Sequence, residues 1–382
     1  RLARRSLKLN VAPFLLELEP GDAIALPGLS GRFRVTRIED GAARAIEAWE
    51  YAPPVGAHAY APSVTRAGGS EASQLFAPAI VFLDLPRLGS KSPEAYASAA
   101  VLAKPWRTVT LSASTATEGY RPRAVVTRPA TLGALATALG PGISGRRDRV
   151  NSLDVRLGFG SLTSVTTAGL LAGANRVAVR GDNGAFEVIG FRDAEEVEAG
   201  RWRLSDLLRG LNGTTDAMAA GAVAGADVVF LNDSVVSLGL EPDEAGLALN
   251  WRAEAGAATV GPLAFSGGRR AATPLAPVHL RAARLVSGGI HLSWTRCGRA
   301  DADNWDAYDI PLDEPEERYR VEILAEDGAT RRDVEVTSPV FDYVAAEAAA
   351  DFGSMPAIIR FRVRQIGWTV ASGLAAEAAI AL

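Results

Sequence analysis

The side chains that could carry out covalent chemistry are few in this sequence and lie far apart. Cys297 is the only cysteine, and a cysteine nucleophile needs a histidine nearby as its base. His279 and His291 are the histidines of that region, and neither completes a recognisable catalytic motif. A single cysteine also excludes an intramolecular disulfide and a zinc site built from several cysteines. We therefore interpret Cys297 as a small residue at the end of a strand.

The acidic residues offer no distinctive pair for acid–base catalysis. Glycoside hydrolysis needs two carboxyl groups that face each other in space, and Glu187, Asp206 and Asp233 are the candidates. A serine triad would have to use one of the three histidines of the chain. The sequence contains no G-x-S-x-G nucleophile motif that would supply the serine. The sequence therefore predicts no enzyme and no catalytic residues. A carbohydrate-active or cell-wall hydrolase with an accessory module stays open as an alternative.

Two segments resemble ligand loops without meeting the requirements of one. Residues 140–145, GPGISG, match G-x-G-x-x-G, but a dinucleotide loop follows a strand and opens a helix. Here a predicted helix at residues 131–139 precedes the segment, and Pro141 lies inside it. The acidic loop 301–317 lacks the EF-hand spacing of ligands and glycine, so we interpret it as a solvated loop and leave open calcium binding of another type. No cofactor and no metal site are predicted.

The composition is that of a folded protein with nearly balanced charge. The chain has 382 residues, of which 48% are hydrophobic, and 40 basic residues stand against 44 acidic ones. This length predicts about two to three domains. Nucleic-acid-binding domains usually carry a basic excess or stripe, which this sequence lacks. No apolar run approaches the roughly 20 residues of a membrane span, so none is expected.

Short alternating segments and frequent turn residues predict a mainly β, multi-domain protein. The chain contains 38 glycines and 21 prolines, and its runs of valine, isoleucine and threonine are short. Phe33 and Val35 alternate with arginines, which is typical of a strand with one buried face. The predicted division is residues 1–60 as the end of a β-barrel-like domain, 61–245 as a second β-rich domain with short helices, 246–275 as a connector and 276–382 as a β-sandwich.

Residues 276–382 have the strand count of an immunoglobulin-like sandwich. About seven strands fit into this segment without a cysteine pair. The proline-led first strand, Trp294 at the end of the second and Tyr319 at the start of the third resemble a fibronectin type III module. Trp294 is then expected to anchor the core of that module.

The stretch at residues 201–214, RWRLSDLLRGLNGT, is typical of a structural or docking element, because it holds no nucleophile–base pair and no set of metal ligands. Leu204, Leu207 and Leu208 have the i, i+3, i+4 spacing of one helical face. Its glycines can adopt a positive φ at little cost. The candidate structural and interface residues of the chain are Arg201, Trp202, Arg209, Gly210, Gly213, Trp294 and Trp305.

Several spaced motifs together resemble one known family. They include LAGAN at 171–175, EVIGF at 187–191, RLSDLLRGLNGT at 203–214, GADVVFLND at 225–233 and LSWTRC at 292–297. With them the chain resembles the tail proteins found at the baseplate of siphophages and gene transfer agents. In particular it is similar to the C-terminal part of the large tail-tip protein of gene transfer agents. Leu211 and Asn212 depart from the usual Gln-Arg pair of that family, and Cys297 stands where it has an arginine.

The resemblance implies a hub or cap at a phage-like tail tip. Such hubs are homotrimers built on β-barrel-like domains; they close the tail channel, anchor fibres and open when the particle meets its host. The implied partners are further copies of this chain, the distal tail, hub and fibre proteins of the baseplate, and a host surface receptor, with DNA only as transported cargo. No catalytic residue and no cofactor are implied for this region. A surface adhesin or receptor-binding module remains an alternative to this role.

Overall fold

The computed structural model shows a mainly β protein, as the sequence predicts. It describes residues 5–11, 18–41, 43–51, 77–299 and 309–382. Trp305 and residues 301–308 of the predicted acidic loop lie outside these ranges. The chain divides into two compact units, Arg1–Glu71 and Ala72–Leu382. Among the described residues, no helix combines the length and the apolar character that crossing a membrane requires.

The first unit contains a four-stranded antiparallel sheet. Its strands are β1 (Ser6–Val11), β2 (Ala23–Ile24), β3 (Arg32–Asp40) and β4 (Arg44–Tyr51). They pair in the order β1-β4-β3-β2. Phe33 and Val35 are buried while the residues between and beside them are exposed, so the alternation predicted for this segment is confirmed.

The second unit contains four groups of strands along the chain. The first is β5 (Ala79–Asp84), β6 (Ala97–Leu102), β7 (Val109–Ser114) and β8 (Arg121–Val126). The second is β9 (Leu132–Leu135), β10 (Arg147–Asp148), β11 (Leu153–Leu157), β12 (Arg176–Arg180), β13 (Phe186–Glu198), β14 (Arg201–Leu211) and β15 (Asp227–Phe230). The third is β16 (Val236–Ser237), β17 (Leu249–Ala255) and β18 (Ala258–Phe265). The fourth is β19 (Val278–Arg284), β20 (Ile290–Thr295), β21 (Tyr319–Leu324), β22 (Thr330–Val336), β23 (Val340–Tyr343), β24 (Ile358–Gln365) and β25 (Ala375–Ala381).

The described helices are short. The α-helices are α1 (Thr167–Leu171), α2 (Thr215–Ala220) and α3 (Ala345–Phe352). Three 3-10 helices span Pro93–Tyr96, Pro242–Glu244 and Arg270–Ala272.

Six strands of the second group close into an antiparallel barrel. Their order is β14-β11-β9-β15-β12-β13, and β13 pairs back to β14, while β10 pairs with β14. The apolar faces of these strands meet in one cluster that includes Val155, Phe191 and Leu204. The barrel interior is therefore a packed core, as expected when a small barrel is filled by its own side chains.

The first and third groups form two sheets that pack face to face. The barrel is inserted into the chain between these two groups. The sheets have the orders β16-β6-β5 and β18-β17-β7-β8. All six residues of β6, ASAAVL, are buried. Ala99 and Val101 pack with Trp251 in the core of this sandwich, whereas Ala100 packs with Val229 of the barrel. Small side chains thus allow β6 to be covered on both faces.

Three predictions from the sequence need correction. Residues 246–275, predicted to be a connector, supply β17 and β18 of the sandwich. Residues 131–139, predicted to be helical, contain β9, because pairing with β11 and β15 outweighs the helix propensity of alanine and leucine. The helical spacing at residues 201–214 is also misleading, since the segment forms β14. Asp206 has a φ of 57° there, which interrupts the alternation and places both Leu204 and Leu207 in the core.

The fourth group forms an immunoglobulin-like β-sandwich of the fibronectin type III kind. One sheet has the order β19-β20-β23 and the other β22-β21-β24-β25, and all pairings are antiparallel. Trp294 is 5% exposed, and its ring meets that of Tyr319 edge to face at a centroid distance of 5.2 Å. Trp294 therefore lies in the core, where the sequence predicts it.

Candidate functional site

The candidate site is the antiparallel pair β13–β14, which we call the ribbon. It closes the barrel, and its strands are 13 and 11 residues long. Four of the predicted residues, Arg201, Trp202, Arg209 and Gly210, lie on β14. The arginines of β14 form ion pairs with carboxylates of neighbouring strands. These ion pairs are the main polar contacts described for the site.

Arg209 and Glu187 form a buried ion pair within the ribbon. The Arg209 side chain has 0% exposure and that of Glu187 has 3%. Arg209 Nε donates to Glu187 Oε1 at 2.7 Å and Nη2 donates to Oε2 at 2.9 Å, which is the bidentate geometry that suits guanidinium and carboxylate. The backbone N–H of Gly210 donates to the same carboxylate at 3.0 Å. The pair is therefore electrically balanced and tied to the strand.

The glycine-rich segment 140–145 lies against this guanidinium. Arg209 Nη2 donates to the carbonyl of Gly140 at 3.1 Å. A Cβ atom on Gly142 would lie 2.8 Å from Arg209 Nη1, so the lack of a side chain permits this close approach. The segment leads into β10 rather than into a helix. Gly142 thus permits close packing over Arg209, a role that the motif alone does not indicate.

Asp206 holds a second group of arginines at the bend of β14. Its side chain is 7% exposed. Arg147 Nε donates to it at 2.7 Å, and Arg192 Nη1 lies 3.0 Å from the carboxylate. Arg149 Nε follows at 3.7 Å. The carboxylate therefore joins β10, β13 and β14 at the point where the strand departs from regular geometry.

Asp154 of β11 binds the first arginines of β14. Arg201 Nη2 donates to Asp154 Oδ2 at 2.9 Å, and Arg203 Nε donates to Oδ1 at 3.0 Å. These hydrogen bonds, that from Arg203 above all, lower the pKa of Asp154, and burial opposes the effect only in part. Because the lowered pKa keeps the carboxylate charged at neutral pH, an ion pair joins the two strands there.

The remaining predicted residues serve packing. Trp202 is buried in the barrel core. Gly210 and Gly213 have φ values of 61° and 76°, the positive φ that the sequence predicts. A Cβ atom on Gly213 would lie 2.3 Å from Leu275 Cδ2, so this position also needs a glycine for close contact. Trp294 lies in the C-terminal sandwich, away from the ribbon in sequence, and Trp305 lies outside the described residues.

The acidic and thiol candidates for catalysis are engaged elsewhere. Glu187 and Asp206 already accept hydrogen bonds from arginines, whereas Asp233 is exposed. Within the described residues, no group of three or more His, Cys, Asp or Glu side chains could hold a metal ion. Burial raises the pKa of the Cys297 thiol, and the ring of His291 contacts Asp342 at 2.6 Å.

Sequence reasoning missed a cleft of about 720 Å³. Four arginines line it, namely Arg87, Arg176, Arg270 and Arg299. They are scattered over the chain, so no local motif could have indicated that they meet.

A closed barrel inserted into a β-sandwich, followed by a fibronectin type III-like sandwich, defines a multi-domain β protein. Within it, residues 130–229 match the model of the family described as Rcc01698-like, C-terminal. This matched segment spans the barrel from β9 into β15. No protein with a curated description matches the chain.

The solved structures to which the chain is similar superpose on it only in part. A cytokine receptor complex is 12% identical, covers 60% of this chain and 90% of its own, and has a TM-score of 0.22. The chicken interferon gamma receptor alpha chain is 10% identical, with 65% and 98% coverage and a TM-score of 0.22. Domains of titin are 10% identical, with 80% and 98% coverage and a TM-score of 0.20. TM-scores at this level carry no argument about function.

Proposed function

We propose that this chain is a structural component of a phage-like tail tip or baseplate, a hub or cap that closes the tail channel and takes part in host attachment and DNA delivery. The observation that supports this most is the match of residues 130–229 to the Rcc01698-like family. The same segment carries LAGAN, EVIGF and RLSDLLRGLNGT, the motifs that resemble tail-tip proteins of gene transfer agents. Sequence pattern and family match thus coincide on the barrel.

The chemistry of the ribbon supports an architectural role for the barrel. Buried carboxylates bound by arginines from several strands resist sliding of those strands, because each displacement would leave a charge without its partner. A tail tip must withstand handling of the particle and pass its cargo without losing its fold. A rigid barrel with internal ion pairs suits that requirement.

Assembly into a homotrimer is part of the proposal. Closed rotational symmetry lets one chain form a ring by repeating one interface. Large apolar side chains are exposed in the segments that connect the barrel strands, among them Val150 at 93% and Leu171, the last residue of α1, at 66%. Burial of such side chains against a neighbouring copy would stabilise the ring by about 1.5–3 kcal/mol for each side chain.

The direct test is to locate the chain in assembled particles. Electron microscopy with a gold-labelled tag on the C-terminal sandwich should place the label at the tail tip. Light scattering coupled to size exclusion should give about three times the chain mass of 40.0 kDa. The variant Val150→Asp should weaken association, whereas Val286→Asp, at an exposed turn of the sandwich, is the matched control. A label along the tail tube or on the capsid would contradict the proposal.

A surface adhesin is the second candidate, and one observation favours it. Trp368, in the loop between β24 and β25, is 83% exposed, and its backbone N–H donates to Glu314 Oε2 at 2.7 Å. An exposed aromatic ring on a fixed loop suits stacking against a receptor or a sugar. Binding to host-surface glycan by a monomer, abolished by Trp368→Ala, would favour this role. Hydrolysis of peptidoglycan in a zymogram would favour the hydrolase alternative instead.

A further inference from the structure

The arginine-lined cleft has the size of a ligand site. Its volume of about 720 Å³ falls within the roughly 300–1,000 Å³ of small-molecule sites. Arg87 reaches it from the loop after β5, Arg176 is the first residue of β12, and Arg270 follows β18. Arg299, beyond β20, reaches it from the C-terminal sandwich. The cleft thus lies where the barrel, the first sandwich and the C-terminal sandwich meet.

Two of the four arginines are already engaged. Arg270 Nη1 donates to Asp216 Oδ2 at 2.7 Å, and Nη2 donates to the carbonyl of Gly213 at 3.0 Å. Arg299 Nη2 donates to Glu314 Oε1 at 2.6 Å and to the carbonyl of Asp313 at 2.9 Å. These contacts fix the two guanidinium groups in place.

The other two arginines have spare donors. Among the described residues, Arg176 makes no side-chain hydrogen bond or ion pair, and its Nε is buried without an acceptor. Arg87 Nε is also buried without an acceptor among these residues. Arg87 Nη1 lies 3.9 Å from Asp313 Oδ1, which is too long for a hydrogen bond. Buried donors without acceptors are rare in folded proteins and call for a partner.

The described residues that line the cleft carry an excess of positive charge. Four arginines line it, and no aspartate or glutamate of the described ranges does. Asp216 and Glu314, which do not line the cleft, neutralise the charges of Arg270 and Arg299. That of Asp313 is the one nearest to Arg87. Arg176 remains without a carboxylate among the described residues. A ligand that brings an oxyanion would supply the missing charge and an acceptor for the Nη groups of Arg176.

We propose that this cleft binds a small ligand bearing an oxyanion group, a carboxylate or a phosphate, held by Arg176 and Arg87. Guanidinium presents a planar pair of donors that matches both groups. Bound there, the ligand also faces Arg299, so it would link the C-terminal sandwich to the body of the unit. This inference does not depend on the tail-tip role, because it follows from the geometry of the cleft.

The test is a titration of the 382-residue chain with inorganic phosphate and, separately, with citrate. Calorimetry gives the dissociation constants, and thermal unfolding is followed at the same ionic strength in sodium chloride. At least one of the anions should bind saturably and raise the unfolding temperature above that in chloride. Binding of phosphate alone identifies a phosphate site, binding of citrate alone a carboxylate site, and binding of both the shared oxyanion chemistry.

The variants decide whether binding occurs in the cleft. Arg176→Gln and Arg87→Gln should each weaken binding about tenfold or more, the loss expected for a charge-assisted hydrogen bond. Arg176→Lys, which keeps the charge but not the fork, should bind with intermediate affinity. Arg128→Gln is the matched control, since Arg128 is exposed and lies outside the cleft. Circular dichroism checks that each variant folds. If Arg176→Gln does not fold, the binding measured with Arg87→Gln decides whether the ligand occupies the cleft. Failure of both anions to bind better than chloride would overturn the proposal, as would equal weakening by Arg128→Gln.

Discussion

The buried ion pair between Arg209 and Glu187 yields the sharpest prediction about stability. Replacing Arg209 with methionine removes the guanidinium but keeps a long apolar side chain in its place. Glu187, 3% exposed, then keeps the backbone N–H of Gly210 as its donor and loses both hydrogen bonds from the guanidinium. The carbonyl of Gly140 also loses its donor.

The expected cost follows from the burial of the charge that remains. Removing one partner of a buried ion pair typically costs about 3–5 kcal/mol, because the other charge stays buried without compensation. Arg209→Met should therefore lower the free energy of unfolding of the barrel by about that amount. Adding Glu187→Gln removes the orphaned charge while keeping an oxygen acceptor for Gly210. The double variant should recover about 1–3 kcal/mol relative to the sum of the single changes.

Urea unfolding at neutral pH, followed by tryptophan fluorescence and circular dichroism, measures these differences. Arg128→Met, at an exposed arginine of the same unit, is the control and should change stability by less than about 0.5 kcal/mol. If Arg209→Met lowered the free energy of unfolding by less than about 1 kcal/mol, the ion pair would not stabilise the barrel as argued above. Strict additivity of the two single changes would refute the coupling between them.

The strands that sequence reasoning located share a local signal. Alternation of apolar and polar residues predicts β3, in which Phe33 and Val35 are buried. Trp294 could be assigned to the core because a large aromatic side chain on the apolar face of an alternating strand is usually buried. The fold class and the C-terminal sandwich therefore followed from the sequence.

The barrel and its insertion into a sandwich could not be predicted in this way. Closure of the barrel depends on pairing of β11 with β14 and of β9 with β15, and the sandwich depends on the return of the chain to β17 beside β7. These contacts join distant segments. The leucines of β14 even favoured a helix, because the positive φ of Asp206 is invisible in a pattern of apolar residues. Alternation predicts strands, whereas register and closure are decided by tertiary contacts.

The arginine chemistry shows the same limit. Arg201 and Arg209 stood out as interface candidates, yet their partners Asp154 and Glu187 lie 47 and 22 residues away. The arginines of the cleft are spread still further, from Arg87 to Arg299. Since ion pairs form in space, the sequence supplies their members but not their pairing.

Three further predictions concern the barrel. Gly142→Ala should cost about 1–3 kcal/mol, because its Cβ would lie 2.8 Å from Arg209 Nη1. Gly140→Ala, with nothing within 4 Å of its Cβ, should be nearly neutral in the same urea unfolding assay. Trp202→Ala should cost about 3–5 kcal/mol of barrel stability as a core truncation, whereas Trp368→Ala on the surface should leave the thermal midpoint unchanged. Finally, hydrogen bonds from Arg203 and Arg201 lower the pKa of Asp154 in the folded chain. The Asp154 carboxylate therefore stabilises the fold fully above its unfolded pKa of about 3.9. This stabilisation is lost as the pH falls through the lower pKa of the folded state. Asp154→Asn should therefore destabilise the chain at pH near 7 and approach the wild type at pH near 2; a constant difference across urea titrations at these pH values would show that Asp154 stabilises the barrel by something other than its charge.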